Sequence, residues 1–138
     1  MLKYLTLLGI FSLLGCQEQK PLIHWYHQKS LKEKPVTCLA LQLPQENPLI
    51  LQTLQSLYTF EPTCHDRLEV SFKEGIVCNS QKNASASALG HFPHSYLKME
   101  LHRGFSLLYS YYIDLPQSVE PSDVKEGFLQ VKHDLFQK

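Results

Sequence analysis

The sequence predicts a small α+β domain: a mainly antiparallel sheet whose inner face is covered by two helices. Three observations carry this expectation. Two stretches repeat apolar residues at helical spacing, two others alternate apolar and polar residues about glycine turns, and a short β-compatible run precedes them all.

Val36 to Leu43 (VTCLALQL) is rich in β-compatible residues and stops at Pro44, so it reads as the first strand. Asn47-Pro48 then offers a capping side chain and a favoured first helical residue. Ile50, Leu54 and Leu57, with Leu51 and Tyr58 alongside, form one apolar helical face that ends at Glu61-Pro62. Arg67 to Phe72 alternates, with Leu68, Val70 and Phe72 on one side; Lys73-Glu74-Gly75 turns the chain and Ile76 to Asn79 returns it. Leu97, Met99 and Leu101 alternate likewise before the turn His102-Arg103-Gly104, and Phe105, Leu107, Tyr109, Tyr111, Ile113 and Leu115 continue one face. With three-residue loops, Phe72 faces Ile76, Val70 faces Cys78, Leu101 faces Phe105 and Met99 faces Leu107, all apolar pairs. Ser80 to Pro93 between the hairpins is small, polar and turn-rich, with a short helical turn around Ala84 to Leu89. Pro121 and Asp123 then open a final helix in which Val124, Phe128, Val131 and Leu135 share a face, with Lys132, His133 and Lys138 toward the negative end of its dipole.

The N-terminus has a different character. Lys3 is followed by an uncharged run from Tyr4 to Gly15, then Cys16 and the polar Gln17-Glu18-Gln19-Lys20. About 20 apolar residues span a bilayer core, so this run reads as a secretory signal rather than a membrane helix. Leu13-Leu14-Gly15-Cys16 resembles the lipobox of bacterial lipoproteins. That resemblance implies cleavage before Cys16, diacylglycerol on its thiol and acylation of the new amino terminus. It divides the chain into a signal peptide (1–15), a lipidated N-terminus and linker (16–35) and an α+β domain (36–138). Two acyl chains suffice for stable attachment, so the lipid bilayer is the first expected partner. Gln17 is not the aspartate that retains enterobacterial lipoproteins at the inner membrane, which favours the outer membrane, facing the periplasm.

Residues 17–35 mix Gln and Lys with two prolines and show no sustained period. As a linker they would reach about 60 Å fully extended. Within them, Ile23-His24-Trp25-Tyr26-His27 suits either of two places, the bilayer headgroups or a strand on the domain. From the first helix through Thr63-Cys64, RLEVSF, the glycine turn and the Ala/Ser segment ending Phe92-Pro93, the order of elements resembles the C-terminal domain of TolA and TonB. The second hairpin and the last helix lie outside that resemblance, and likeness of fold does not imply function.

Thirteen basic and thirteen acidic residues leave no net charge, which speaks against nucleic acid as a partner. Beyond Cys16 stand Cys38, Cys64 and Cys78, in a chain read as exported, so one disulfide and one leftover thiol are expected. Three pairings are open. A first helix running back along the first strand would bring Cys64 to Cys38, which makes that pair the preferred one.

Seven histidines include His24 with His27, His65 within Cys64-His65-Asp66, and His91 with His94. The paired histidines could chelate only on a helix, Pro93 opposes one at the second pair, and no further ligands stand at convincing spacing, so no metal or other cofactor is expected. Cys64-His65-Asp66 holds a nucleophile, a base and an acid, but adjacent residues rarely form a relay, and no GxSxG, SxxK or HExxH sequence is present. No catalytic residue is therefore assigned, and an enzyme is not expected. On the aromatic strand, Leu108 and Tyr112 would face away from the core and offer a surface to a partner protein, unless the linker or the Ala/Ser loop covers them. The expectation is a non-catalytic envelope adaptor or assembly subunit. The alternatives are a carrier of lipid or a small apolar ligand and an exported thiol or metal enzyme.

The lipobox reading is checked by metabolic palmitate labelling: Cys16→Ala is expected to abolish the label and leave either unprocessed precursor or protein no longer extracted with detergent.

Overall fold

A computed structural model describes residues 20–76 and 93–137. The α+β class is as predicted: a five-stranded, mostly antiparallel sheet with three helices. In chain order these are β1 (Leu22–Trp25), α1 (Gln28–Glu33), β2 (Ala40–Gln42), α2 (Pro48–Leu57), β3 (Asp66–Lys73), β4 (Ser95–Arg103), β5 (Ser106–Leu115) and α3 (Pro121–Phe136). Across the sheet the order is β1-β5-β4-β3-β2, antiparallel except for β2 with β3. Parallel neighbours need a crossover, which α2 supplies.

The helices begin where the sequence places their signals. Asn47 Oδ1 accepts the backbone N–H groups of Leu49 and Ile50, both at 3.1 Å, and Pro48 opens α2. The backbone N–H of Glu120 donates to the Asp123 carboxylate at 2.8 Å, closing the first turn of α3 behind Pro121. Ile50 and Leu54 of α2 and Val124, Phe128 and Val131 of α3 are buried against the inner face of the sheet. That face consists of Leu68 and Val70, Leu97, Met99 and Leu101, and Tyr109 and Tyr111. Its cross-strand rows are apolar: Leu68 with Leu101 and Tyr109, and Val70 with Met99 and Tyr111. Where the helix ends meet, Tyr58 stacks on Phe136 at 5.7 Å and Phe60 lies 5.7 Å from Phe128.

Four expectations change. Residues 17–35 are not a linker throughout, because Leu22–Trp25 pairs with β5 as an edge strand and α1 follows it. The sheet thus begins 14 residues before Val36, since Ile23 and Trp25 have apolar partners waiting in Tyr111 and Tyr109. The first strand is shorter than Val36 to Leu43, only Ala40–Gln42 being paired with β3.

The first hairpin does not close as predicted. Gly75 has the expected positive φ of 64°, yet Phe72 pairs with Leu97 and Val70 with Met99, and the N–H of Ile76 donates to the His94 carbonyl. An alternating strand accepts any apolar alternating neighbour, and β4 satisfies the pattern over the whole length of β3. Cys78, the remainder of the return strand to Asn79 and the helical turn at Ala84 to Leu89 lie outside the described residues, as do Cys16 and the signal segment.

The second hairpin closes in a different register. Arg103 pairs with Ser106, leaving the two-residue loop Gly104-Phe105, with positive φ at Gly104 alone, as in a type II′ turn. His102 then pairs with Leu107 but Leu101 with Tyr109, so Leu108 is the extra residue of a β-bulge. Phe105 ends up fully exposed at the tip of the turn and Leu108 is 2% exposed, within the core.

Gly127 marks the closest approach of α3 to the sheet. A Cβ there would stand 2.9 Å from Tyr111 Cε1 and 3.3 Å from Met99 Cε. Gly127→Ala gains about 1 kcal/mol of helix propensity but overpacks the contact by about 1–3 kcal/mol. We expect a net loss of stability in urea unfolding, and a larger one for Gly127→Val.

Candidate functional site

The strand register assigns the outer face of the sheet. Residues alternating with the core positions are Leu22 and His24 of β1, Ser110, Tyr112 and Asp114 of β5, Tyr96, Lys98, Glu100 and His102 of β4, and Arg67, Glu69 and Ser71 of β3. Among the described residues no helix packs on this face; both α2 and α3 bury their apolar residues on the other. At its centre Tyr96 and Tyr112 stack with ring centroids 5.4 Å apart. The Tyr112 hydroxyl donates to Asp114 Oδ1 at 2.8 Å, and Lys98 lies 3.1 Å from Glu100. Burial and the Asp114 hydrogen bond push the Tyr112 hydroxyl up to about 12. The sequence therefore locates one of its two candidate surface residues on this face, Tyr112, half-buried beside Tyr96. The other is corrected: the bulge takes Leu108 into the core, so it offers nothing to a partner. Tyr96 escapes the sequence reading because only the β4–β5 register sets it against Tyr112.

A second cluster lies at the opposite corner of the sheet, where Cys38 and Cys64 form a disulfide with Cα atoms 6.0 Å apart. The bridge joins the segment before β2 to the chain after α2, and the Glu61 N–H donating to the Leu39 carbonyl at 2.9 Å runs beside it. Asp66 and Arg103, paired across β3 and β4, form a bidentate ion pair of 2.6 and 2.9 Å. The Asp66 carboxylate holds the Arg103 guanidinium above its ordinary value. Arg67 donates to the Gly104 carbonyl at 3.0 Å. A groove of about 650 Å³ opens here, lined by Lys34, Cys38, Cys64, His65, Arg67 and Arg103 among others.

This geometry separates the Cys64-His65-Asp66 trio. The Cys64 sulfur is oxidised, Asp66 is engaged by Arg103, and the His65 side chain is exposed. Cys38, Glu61 and Cys64 are the one group of three potential metal ligands close together among the described residues, and two of them share the disulfide. His24 lies on a strand and His27 caps the start of α1, so that pair has no helical spacing; His94 is exposed and His91 lies outside the described residues.

A further open groove of about 590 Å³ runs between α1 and the end of α3, lined by Trp25, Leu31, Val36, Leu135 and Phe136 with Lys32 and Asp134. It sits at the rim. Between the sheet and α2 and α3, Leu54, Val70, Met99, Tyr111 and Phe128 occupy the interior. Tyr109 reaches out of this core and donates its hydroxyl to Asp134 Oδ2 at 2.7 Å, with burial and that bond raising it well above the ordinary tyrosine value. Among the described residues, no helix is long and apolar enough to cross a membrane.

Comparison with protein-family models, with curated proteins and with solved structures finds no match to this chain. Neither the lipobox nor the TolA- and TonB-like order of elements gains a relative from them.

The tyrosines make the stability pH-dependent. Burial pushes the Tyr111 hydroxyl up to about 12, and Tyr112 stands equally high. An unfolded tyrosine ionises near pH 10, so the stabilisation is complete below about pH 10 and is lost as pH rises toward 12. Urea unfolding across that window should show stability falling, with Tyr111→Phe reducing the slope by about 1.4 kcal/mol per pH unit.

Proposed function

We propose that this chain is an envelope lipoprotein, tethered through acylated Cys16, that holds a partner protein on the outer face of its sheet. The observation that carries the reading is the Tyr96–Tyr112 stack, ringed by Lys98, Glu100 and Asp114, on a face against which neither α2 nor α3 packs. Aromatic side chains with a polar rim suit a protein interface: they bury large areas at small entropic cost, and the hydroxyls keep hydrogen-bonding capacity.

The tether supports the same role. Five residues separate Cys16 from Leu22, a span of at most about 20 Å at roughly 3.3–3.6 Å per residue. With β1 consuming the rest of the segment, a lipid on Cys16 would keep the binding face close to the membrane. Outer-membrane attachment facing the periplasm follows from Gln17 after the lipobox. Carriage of a lipid or small apolar ligand requires interior space, and the rim groove by Trp25 and Phe136 is where such a ligand would have to lie.

Tyr112→Lys in the full-length protein tests the reading, because a lysine retains a partner for Asp114 and forfeits a stacking contact of about 0.5–1.5 kcal/mol. Folding is expected to survive with melting lowered by a few degrees, while an envelope protein that co-purifies with the wild type is lost. Acyl chains retained in native mass spectra, with no co-purifying protein for either form, would favour the carrier.

A further inference from the structure

Six large apolar residues are exposed among those described, and three of them lie along one edge of the sheet, Leu22 at 57% on its outer side, Trp25 at 38% on its inner side and Tyr26 at 50% just beyond. All belong to β1 or follow it directly, so they lie on the edge strand, which five residues separate from Cys16. Trp25 is held in place, its ring edge-on to Tyr109 with centroids 4.7 Å apart. The Tyr26 N–H donates to the Leu108 carbonyl at 2.9 Å, extending the pairing of this edge to the bulge. Basic residues outnumber acidic ones around the edge: Lys20 precedes β1, Lys29 and Lys32 stand on α1 and Lys34 follows it, against Glu33, which lies 3.9 Å from Lys29, and Asp134 of α3. Lys32 and Trp25 line the same groove.

We propose that β1 and α1 form a membrane-docking edge. Trp25 and Tyr26 seat at headgroup level on an anionic bilayer, the lysines meet its phosphates, and the domain lies against the membrane instead of swinging on its tether. The proposal rests on the lipoprotein reading of Cys16, since the five-residue tether is what brings this edge to the lipid. Tryptophan favours the interface because its body is apolar and its N–H remains hydrated, and fixing the ring on Tyr109 lowers the entropy lost on docking. The two places the sequence allows for Ile23 to His27 are then compatible: the segment is a strand of the domain and its exposed side chains touch lipid.

Trp25 is the sole tryptophan of the chain, so its fluorescence reports this contact directly. The full-length protein, processed and purified in detergent, would be reconstituted into vesicles of equal parts phosphatidylethanolamine and phosphatidylglycerol, with and without bromine on the acyl chains near the headgroups. Docking predicts a blue-shifted emission, loss of most of it in the brominated vesicles, and protection from aqueous iodide. The double variant Lys29→Glu, Lys32→Glu should lose the quenching while its circular dichroism and its lipid attachment persist. An acylated protein whose Trp25 emission is the same in both vesicle types overturns the docking edge. So does iodide protection that instead appears without vesicles as protein concentration rises, which would assign the edge to a second copy of the chain. The mass of the N-terminal peptide separates the two readings: a peptide lacking acyl chains overturns the lipoprotein reading alone, and bromine quenching in that same protein still supports the docking edge.

Discussion

The structure depends on the contact of α3 with the sheet at Gly127. Tyr111 and Met99 face each other across β5 and β4 at the middle of the inner face, and the helix passes so near them that a single added carbon would meet the Tyr111 ring. A helix carrying a side chain at that position would have to stand off, opening space beneath Val124, Phe128 and Val131 that nothing else could fill. The approach also brings Asp134 under the Tyr109 hydroxyl. An acidic residue in the last turn of a helix opposes the dipole, and here a hydrogen bond from the core offsets that cost.

The same strand that receives α3 sets the outer surface. The bulge at Leu108 changes the parity of β5, so that odd positions face the core from Tyr109 onward while Leu107 near the turn pairs with His102 on the outer side. One residue inserted there exposes Phe105, buries Leu108 and leaves Tyr112 to stack on Tyr96. Bulges strengthen twist and redirect side chains, and this one divides the aromatic strand between a core wall and a surface aromatic pair.

In the proposed function, tether, edge and face have distinct duties. A short tether and the β1–α1 edge would hold the domain on lipid. The face around Tyr96 and Tyr112 crosses β4 and β5, the strands next to that edge, so it can meet a protein while β1 stays on the bilayer. Both the Cys38–Cys64 bridge and the Asp66–Arg103 pair lie at the other side of the sheet, where the bridge ties the segment before β2 to the chain entering β3 and the ion pair ties β3 to β4. Their chemistry is that of clamps: an oxidised sulfur pair and a carboxylate already engaged by two guanidinium nitrogens.

By itself the sequence determined the features whose causes are local. Asn47-Pro48 and Pro121 with Asp123 start the two long helices because a cap needs only its own first turn, and the apolar spacing in each names the buried face. Alternation in β3, in β4 and in β5 from Tyr109 onward names the inner residues, and the return of a helix along a strand made Cys38–Cys64 the preferred one of three open pairings. Partnership between distant segments was not legible. Nothing local in Leu22 to Trp25 says that β5 is its neighbour, nothing in Gly75 says that the chain leaves β3 rather than returning along it, and nothing in Leu107-Leu108 says which of them is the extra residue. Those choices are settled by which pairing fills the space beneath α2 and α3. Packing is a property of the whole core, and a residue's own neighbours in sequence do not contain it.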